Sequence, residues 1–181
     1  MLQSLKSDHE KITLRSLLEF YRKKAKSPRE LGTLFENLVK DYFSEDPLQK
    51  QEYEKVQTYS EWAEEHDEDR RDIGIDLVAT IRDQGGYAAI QCKCYDAAHI
   101  IKKKILIALS LPLERKIFTR RILVDSTESN WSDNANNTCD GQEVRIQQIN
   151  LFDLENSQID WGLIKKEDKL SLKSNPKKKK A

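Results

Sequence analysis

The chain has 181 residues, of which 38% are apolar, with 31 basic and 31 acidic side chains, so it is long enough for one domain with a core of its own. The neutral total excludes a uniformly basic nucleic-acid binder, and three cysteines do not make a disulfide framework. No apolar run approaches a membrane span, and the first residues lack a basic-then-apolar leader, so the expected compartment is a reducing cytoplasm.

The neutrality hides segregation: residues 1–43 carry +3, 44–72 carry −7, 73–164 carry −2 and 165–181 carry +6. In chain order, residues 9–25 space Ile12, Leu14, Leu17, Leu18 and Tyr21 as a helix with a basic end, broken by Ser27-Pro28. A second helix over 31–43 aligns Leu31, Leu34, Phe35, Leu38, Val39 and Tyr42 in one stripe, with Glu36 on its shoulder. The acidic stretch that follows predicts a weak strand near 52–59 and then a loop or short helix. Residues 73–94 read as two strands joined by a glycine turn. A helix is expected over 99–113, a buried strand from Arg121, helix or loop over 130–140, and a strand over 144–149. Short closing elements follow near 151–156 and 159–164. This order predicts an α/β fold with a mixed sheet. Residues 165–181 have linker composition, and no phosphate-binding loop occurs, so any motor is expected outside this chain.

The hairpin raises the chemical question, because it carries Asp76, Gln91 and Lys93 among apolar neighbours. With residues 83–86 as the turn, Asp76 faces Lys93 and Val78 faces Gln91, and directly opposed residues share a face about 5 Å apart. Phosphodiester cleavage uses a divalent cation to neutralise charge and acidify water, and magnesium favours carboxylate, carbonyl and water oxygens. Asp76 offers a carboxylate, Gln91 an amide oxygen, Cys92 its backbone carbonyl and Glu36 a second carboxylate; Lys93 supplies a cation beside them. The opposing reading is a surface ion pair worth about 0–1 kcal/mol. Cys92, Cys94, His99 and Cys139 read as buried thiols and a stray histidine rather than a zinc site, because CxC lacks the usual ligand spacing. Lys102, Lys103 and Lys104, with Arg120 and Arg121, flank the hairpin and are the first candidates for DNA phosphates. The Arg22–Lys24 cluster ranks behind them.

Gly74-Ile-Asp-Leu-Val-Ala and Ala89-Ile-Gln-Cys-Lys, after the helix Gly32-Thr-Leu-Phe-Glu-Asn-Leu-Val-Lys, resemble the Mrr-like branch of the PD-(D/E)XK nucleases. Within that branch the resemblance is closer still to the N-terminal nuclease domain of single-chain Type ISP restriction-modification enzymes. Arg71-Asp-Ile-Gly, Asn130-Trp-Ser-Asp-Asn-Ala and Asp153-Leu-Glu-Asn-Ser agree with it, and it covers roughly residues 31–164.

The resemblance implies a restriction-endonuclease-like αβββαβ core, and Mg²⁺-dependent cleavage of double-stranded DNA, with Mn²⁺ as a substitute. By the same resemblance Asp76 is the metal-binding acid, Gln91 holds the (D/E) position, Lys93 is the lysine and Glu36 the helix glutamate. Ile75 replaces the motif's proline, and Gln91 leaves the site one negative charge short. The implied organisation is a nuclease domain over 1–164, with 1–30 as a helical extension, and a linker over 165–181. Helicase-like, methyltransferase and target-recognition domains would follow, ATP serving only the motor. The alternative is a catalytically silent nuclease fold that binds DNA or docks a motor.

Overall fold

The computed structural model describes residues 12–71, 74–83, 85–101, 117–128, 146–161 and 171–172. Helix α1 (Leu14–Lys24) starts at Thr13, whose side chain accepts from the Ser16 N–H while the Ser16 hydroxyl accepts in return. This reciprocal cap fixes the start five residues later than the spacing predicts. Helix α2 (Pro28–Glu45) is longer than the predicted 31–43 at both ends. Ser27-Pro28 does end α1, but the same pair also begins α2. Ser27 caps it by accepting from the Glu30 N–H, and Pro28 occupies a first-turn position where no N–H is needed.

The stripe Phe35, Leu38, Val39, Tyr42 and Phe43 is buried with Leu14, Leu17 and Leu18 against one face of the sheet. Each such side chain contributes about 1.5–3 kcal/mol by leaving water. Asp46 then closes α2 and caps α3 (Pro47–Glu52), a helix that the sequence reading did not foresee. Its second carboxylate oxygen accepts from the Gln158 N–H at 2.9 Å, so one buried acid ties three parts of the chain together.

Strands β1 (Tyr53–Thr58), β2 (Leu77–Ile81), β3 (Tyr87–Lys93), β4 (Phe118–Asp125) and β5 (Ile146–Ile149) lie side by side in chain order. The first three form an antiparallel meander, whereas β3, β4 and β5 run parallel. The sheet is therefore mixed, as expected. Leu77, Ala79, Ile81, Ala88, Ile90 and Cys92 face α1 and α2. Val78, Ala89 and Phe118 pack on the other side with Tyr59, Trp62 and Ala63 of α4 (Tyr59–Glu65). A short helix α5 (Leu151–Glu155) follows β5, and β6 (Ile159–Asp160) pairs with β7 (Ser171–Leu172). Ser171 and Leu172 thus pair in a strand inside the stretch read as linker.

The hairpin register corrects the sequence reading. Ile81 donates to the Gly86 carbonyl at 3.1 Å, so the loop spans 82–85 and Leu77 pairs with Ile90, two residues from the predicted pairing. Gly85 and Gly86 take φ of +66° and +79°, values open to glycine, which moves the turn one residue earlier. Val78 consequently faces Ala89, not Gln91. A two-residue slip leaves every strand side chain on its predicted face, which is why the apolar pattern gave no warning.

Residues 102–116, 129–145 and 162–170 lie outside the described residues. They hold most of the predicted 99–113 helix, the 130–140 segment, the start of the 144–149 strand and the second half of the 159–164 element. Among the described residues no helix is long and apolar enough to cross a membrane.

Candidate active site

Asp76 stands just before β2, where the ladder breaks. Its N–H donates at 3.0 Å to the carbonyl of Ile90, the residue already paired with Leu77, so two residues of one strand meet one of its neighbour. That is the arrangement of a β-bulge, and it re-aims the side chain. The Asp76 carboxylate Oδ2 then accepts the Cys92 N–H at 2.7 Å, and its backbone carbonyl accepts the Tyr59 N–H. The acid is thereby held by β3 on one side and by the first residue of α4 on the other. Asp76 does not pair directly with Lys93 across the hairpin, the pairing that the later turn predicts. The bulge nevertheless places Oδ2 4.0 Å from Lys93 Nζ.

Gly74 takes φ +81°, a conformation that L side chains rarely adopt, two residues before the acid. Gly74→Ala is expected to cost about 1–2 kcal/mol. Chemical denaturation checks this, and an unchanged midpoint would contradict it.

Gln91 sits one residue before the amide that Asp76 holds. It is only 5% exposed, yet among the described residues its side-chain oxygen accepts no hydrogen bond. A buried acceptor without a donor is costly, of order 1–3 kcal/mol, and such an atom calls for a partner. A cation or a water on that cation meets the need, so the donor set fits a hard divalent ion: one carboxylate, one amide oxygen and the Cys92 carbonyl as a further candidate.

Glu36, half-buried on α2, belongs to the same neighbourhood. Burial pushes the Cys92 thiol well up, and the charges of Asp76 and Glu36 push it the same way, with Lys93 opposing. The charges of two carboxylates and one ammonium are thus felt at one buried sulfur. Cys92 belongs to the core and Cys94 packs against it, as small hydrophobes do. Among the described residues no group of three or more His, Cys, Asp or Glu side chains could hold a metal, and Cys139, a member of the zinc alternative, lies outside them.

The predicted DNA contacts fare differently. Arg120 pairs with Glu52 at 2.8 Å and lies over the Tyr53 ring, and Arg121 is only 9% exposed. They pair with Ala88 and Ala89, so Arg120 stands five strand residues, about 16 Å, from the Lys93 end. The structure does not bring them to Asp76. Lys102, Lys103 and Lys104 lie outside the described residues.

Sequence reasoning missed Asp125, the fully buried last residue of β4 and the register partner of Lys93. Its Oδ1 accepts from the Thr127 N–H and hydroxyl, and Oδ2 accepts from the Gln148 amide. The next residue, Ser126, donates its N–H to the Lys93 carbonyl and its hydroxyl to the Tyr95 carbonyl. The Asp125 turn therefore fixes the chain on both sides of Lys93's carbonyl. The only signal was an acid ending an apolar run, Arg121-Ile-Leu-Val-Asp-Ser.

Burial raises the Asp125 carboxyl above its ordinary range, against the pull of its three donors. Because the folded value lies above the unfolded one, this group's contribution is full at low pH and is lost as pH rises through the raised value. Asp125→Asn removes that slope. Its melting temperature relative to the unsubstituted chain should improve as pH rises from the acid range to neutrality; the opposite trend in a pH series of melts would contradict the assignment.

The restriction endonuclease family Mrr_cat_2 matches residues 44–171. The chain belongs to that family. Among solved structures it is similar to the ATP-dependent Type ISP restriction-modification enzyme LlaBIII bound to DNA, with a TM-score of 0.71 and 31% identity over 90% of this chain. The match spans only 10% of LlaBIII. The MspJI restriction endonuclease in complex with an oligonucleotide is a weaker neighbour, with TM-score 0.42 and 15% identity over 86% of this chain and 34% of that one. No curated protein matches. These matches bear out the restriction-endonuclease resemblance and the mixed-sheet fold class.

Proposed function

We propose that this chain is a metal-dependent endonuclease module that hydrolyses phosphodiester bonds of double-stranded DNA without reading sequence itself. The observation that carries it is the buried Gln91 oxygen, without a partner among the described residues, one residue from the amide held by Asp76. Asp76 and Gln91, with the Cys92 carbonyl and Glu36, would hold Mg²⁺ or Mn²⁺. When bound, the cation neutralises charge on the phosphate and lowers the pKa of water. Lys93, beside the Asp76 carboxylate, donates to a phosphoryl oxygen as negative charge grows there and orients the attacking water. The bulge holds the acid, and the Asp125 turn holds the lysine's backbone, so neither needs to reorganise during the reaction.

The likeness to LlaBIII supports a place in a cytoplasmic, ATP-dependent restriction-modification polypeptide, whose other domains would supply the motor, the methyltransferase and target recognition. A single site per chain cuts one strand, so a double-strand break needs two copies or repeated nicking.

The test is nicking of supercoiled plasmid by the chain under a titration of Mg²⁺ and Mn²⁺, with a chelator control. Metal-dependent nicking that falls about 10²- to 10³-fold in Lys93→Ala supports the reading. Nicking that ignores the chelator would sink it. Silence in every metal, with DNA binding intact, favours the silent docking module.

A further inference from the structure

The corner between α1 and α2 carries Arg22, Lys23, Lys24, Lys26 and Arg29 within eight residues, and Lys23, Lys24, Lys26 and Arg29 are exposed. Elsewhere several surface cations are neutralised. Lys50 pairs with Glu45, Lys55 with Glu65 and Arg70 with Glu64, and Arg15 engages both Glu128 and Glu155. Among the described residues, Lys23, Lys24, Lys26 and Arg29 make no ion pair; Lys24 merely lies over the Phe20 ring. Glu30, the nearest acid in the chain, accepts the Lys26 backbone N–H.

The fold brings this corner to the reactive end of the sheet. Arg22 donates to the Tyr95 carbonyl at 2.6 Å and lies 3.6 Å from Asp96. Tyr95 is two residues past Lys93, about 7 Å of extended chain. From the other side, a Cβ on Gly32 would come within 3.7 Å of the Glu36 carboxylate, so that side chain reaches back along α2 toward Arg29. Arg22 acts as the bolt that fixes the corner, which leaves its neighbours available.

We propose that the α1–α2 corner, through Lys23, Lys24, Lys26 and Arg29, holds the phosphate backbone of duplex DNA beside the scissile bond. This deepens the nuclease reading and rests on it for the choice of ligand. Four unpaired cations on two helix ends track a line of phosphates. Arg120 and Arg121, by contrast, are respectively paired and buried at the far end of the strand. Arg120 and Arg121 are thus not among the cations that the fold leaves open.

The experiment is fluorescence anisotropy of the whole chain on a short labelled DNA duplex across a salt series. Three forms are compared: the unsubstituted chain, Lys23→Gln/Lys24→Gln/Lys26→Gln, and Lys50→Gln/Lys55→Gln/Arg70→Gln. Both triple variants lose the same net charge, and glutamine keeps helix propensity, so circular dichroism should match throughout. The corner variant is expected to bind at least tenfold more weakly, with its salt slope shallower by about 0.9 for each phosphate it no longer neutralises. The distal variant should stay within about twofold of the unsubstituted chain, because its cations are already paired.

Equal losses in both variants, no loss in the corner variant, or no duplex binding by the unsubstituted chain at low salt would each overturn the proposal. Plasmid nicking is read separately. A chain that binds through the corner but never nicks removes the nuclease reading and leaves the corner standing.

Discussion

Asp76→Asn is expected to lower metal-dependent nicking by about 10³-fold while leaving the fold in place. The two effects separate because the acid does two jobs with different chemistry. Oδ2 accepts the Cys92 N–H at 2.7 Å, which an amide oxygen can also do. Holding a divalent cation requires the negative charge, which an amide lacks. Among the described residues the substitution loosens the 4.0 Å approach of Lys93, at a partly exposed position worth about 1 kcal/mol or less. For a domain of this size that is a fall in melting temperature of about 4 °C at most. Nicking and a thermal melt on one preparation decide it. Unchanged nicking would remove Asp76 from the site, and a collapse of the melt would make the acid structural.

Gln91→Glu should show the opposite pattern, a loss of stability that a cation restores. The position is buried and one residue from the amide that Asp76 holds, so a second carboxylate enters where the ammonium at hand, Lys93, already faces Asp76. We expect destabilisation of about 2–4 kcal/mol at neutral pH without metal, eased at acid pH where the buried group takes up a proton. Excess Mg²⁺ should recover much of it, since a ligand at a hundred times its dissociation constant adds about 2.7 kcal/mol. The unsubstituted chain should gain less from the same ion. Melts with Mg²⁺ and with a chelator check this. A variant that melts like its parent in both would show that residue 91 does not face the cation.

Much of this was legible in the chain, for a definable reason. The alternation through 75–81 and 87–93 marks two strands and assigns their faces, because the side-chain period of two survives any even slip. The stripe from Phe35 to Tyr42 marks α2 and leaves Glu36 at its edge. What was not legible depends on backbone hydrogen bonds, which leave no periodic trace. The bulge at Asp76 exists because Asp76 and Leu77 both meet Ile90, and nothing in Gly-Ile-Asp-Leu announces that. Ser27-Pro28 reads equally as an end or a beginning, and it is both. α3 spans six residues, too few for a period to show, and is made by the Asp46 cap. Asp125 is hidden because a buried acid is recognisable only once its donors, Thr127 and Gln148, are known.

The bond between Asp76 and the Cys92 amide has a practical corollary. That proton lies on a carboxylate, so its nuclear resonance frequency is set by whatever charge the carboxylate carries. Protonating the acid, neutralising it with a cation or swapping it for an amide would each move a single peak, recorded on an otherwise silent core amide. The site thus contains its own gauge of electrical state, readable with no substrate present and no bond being broken.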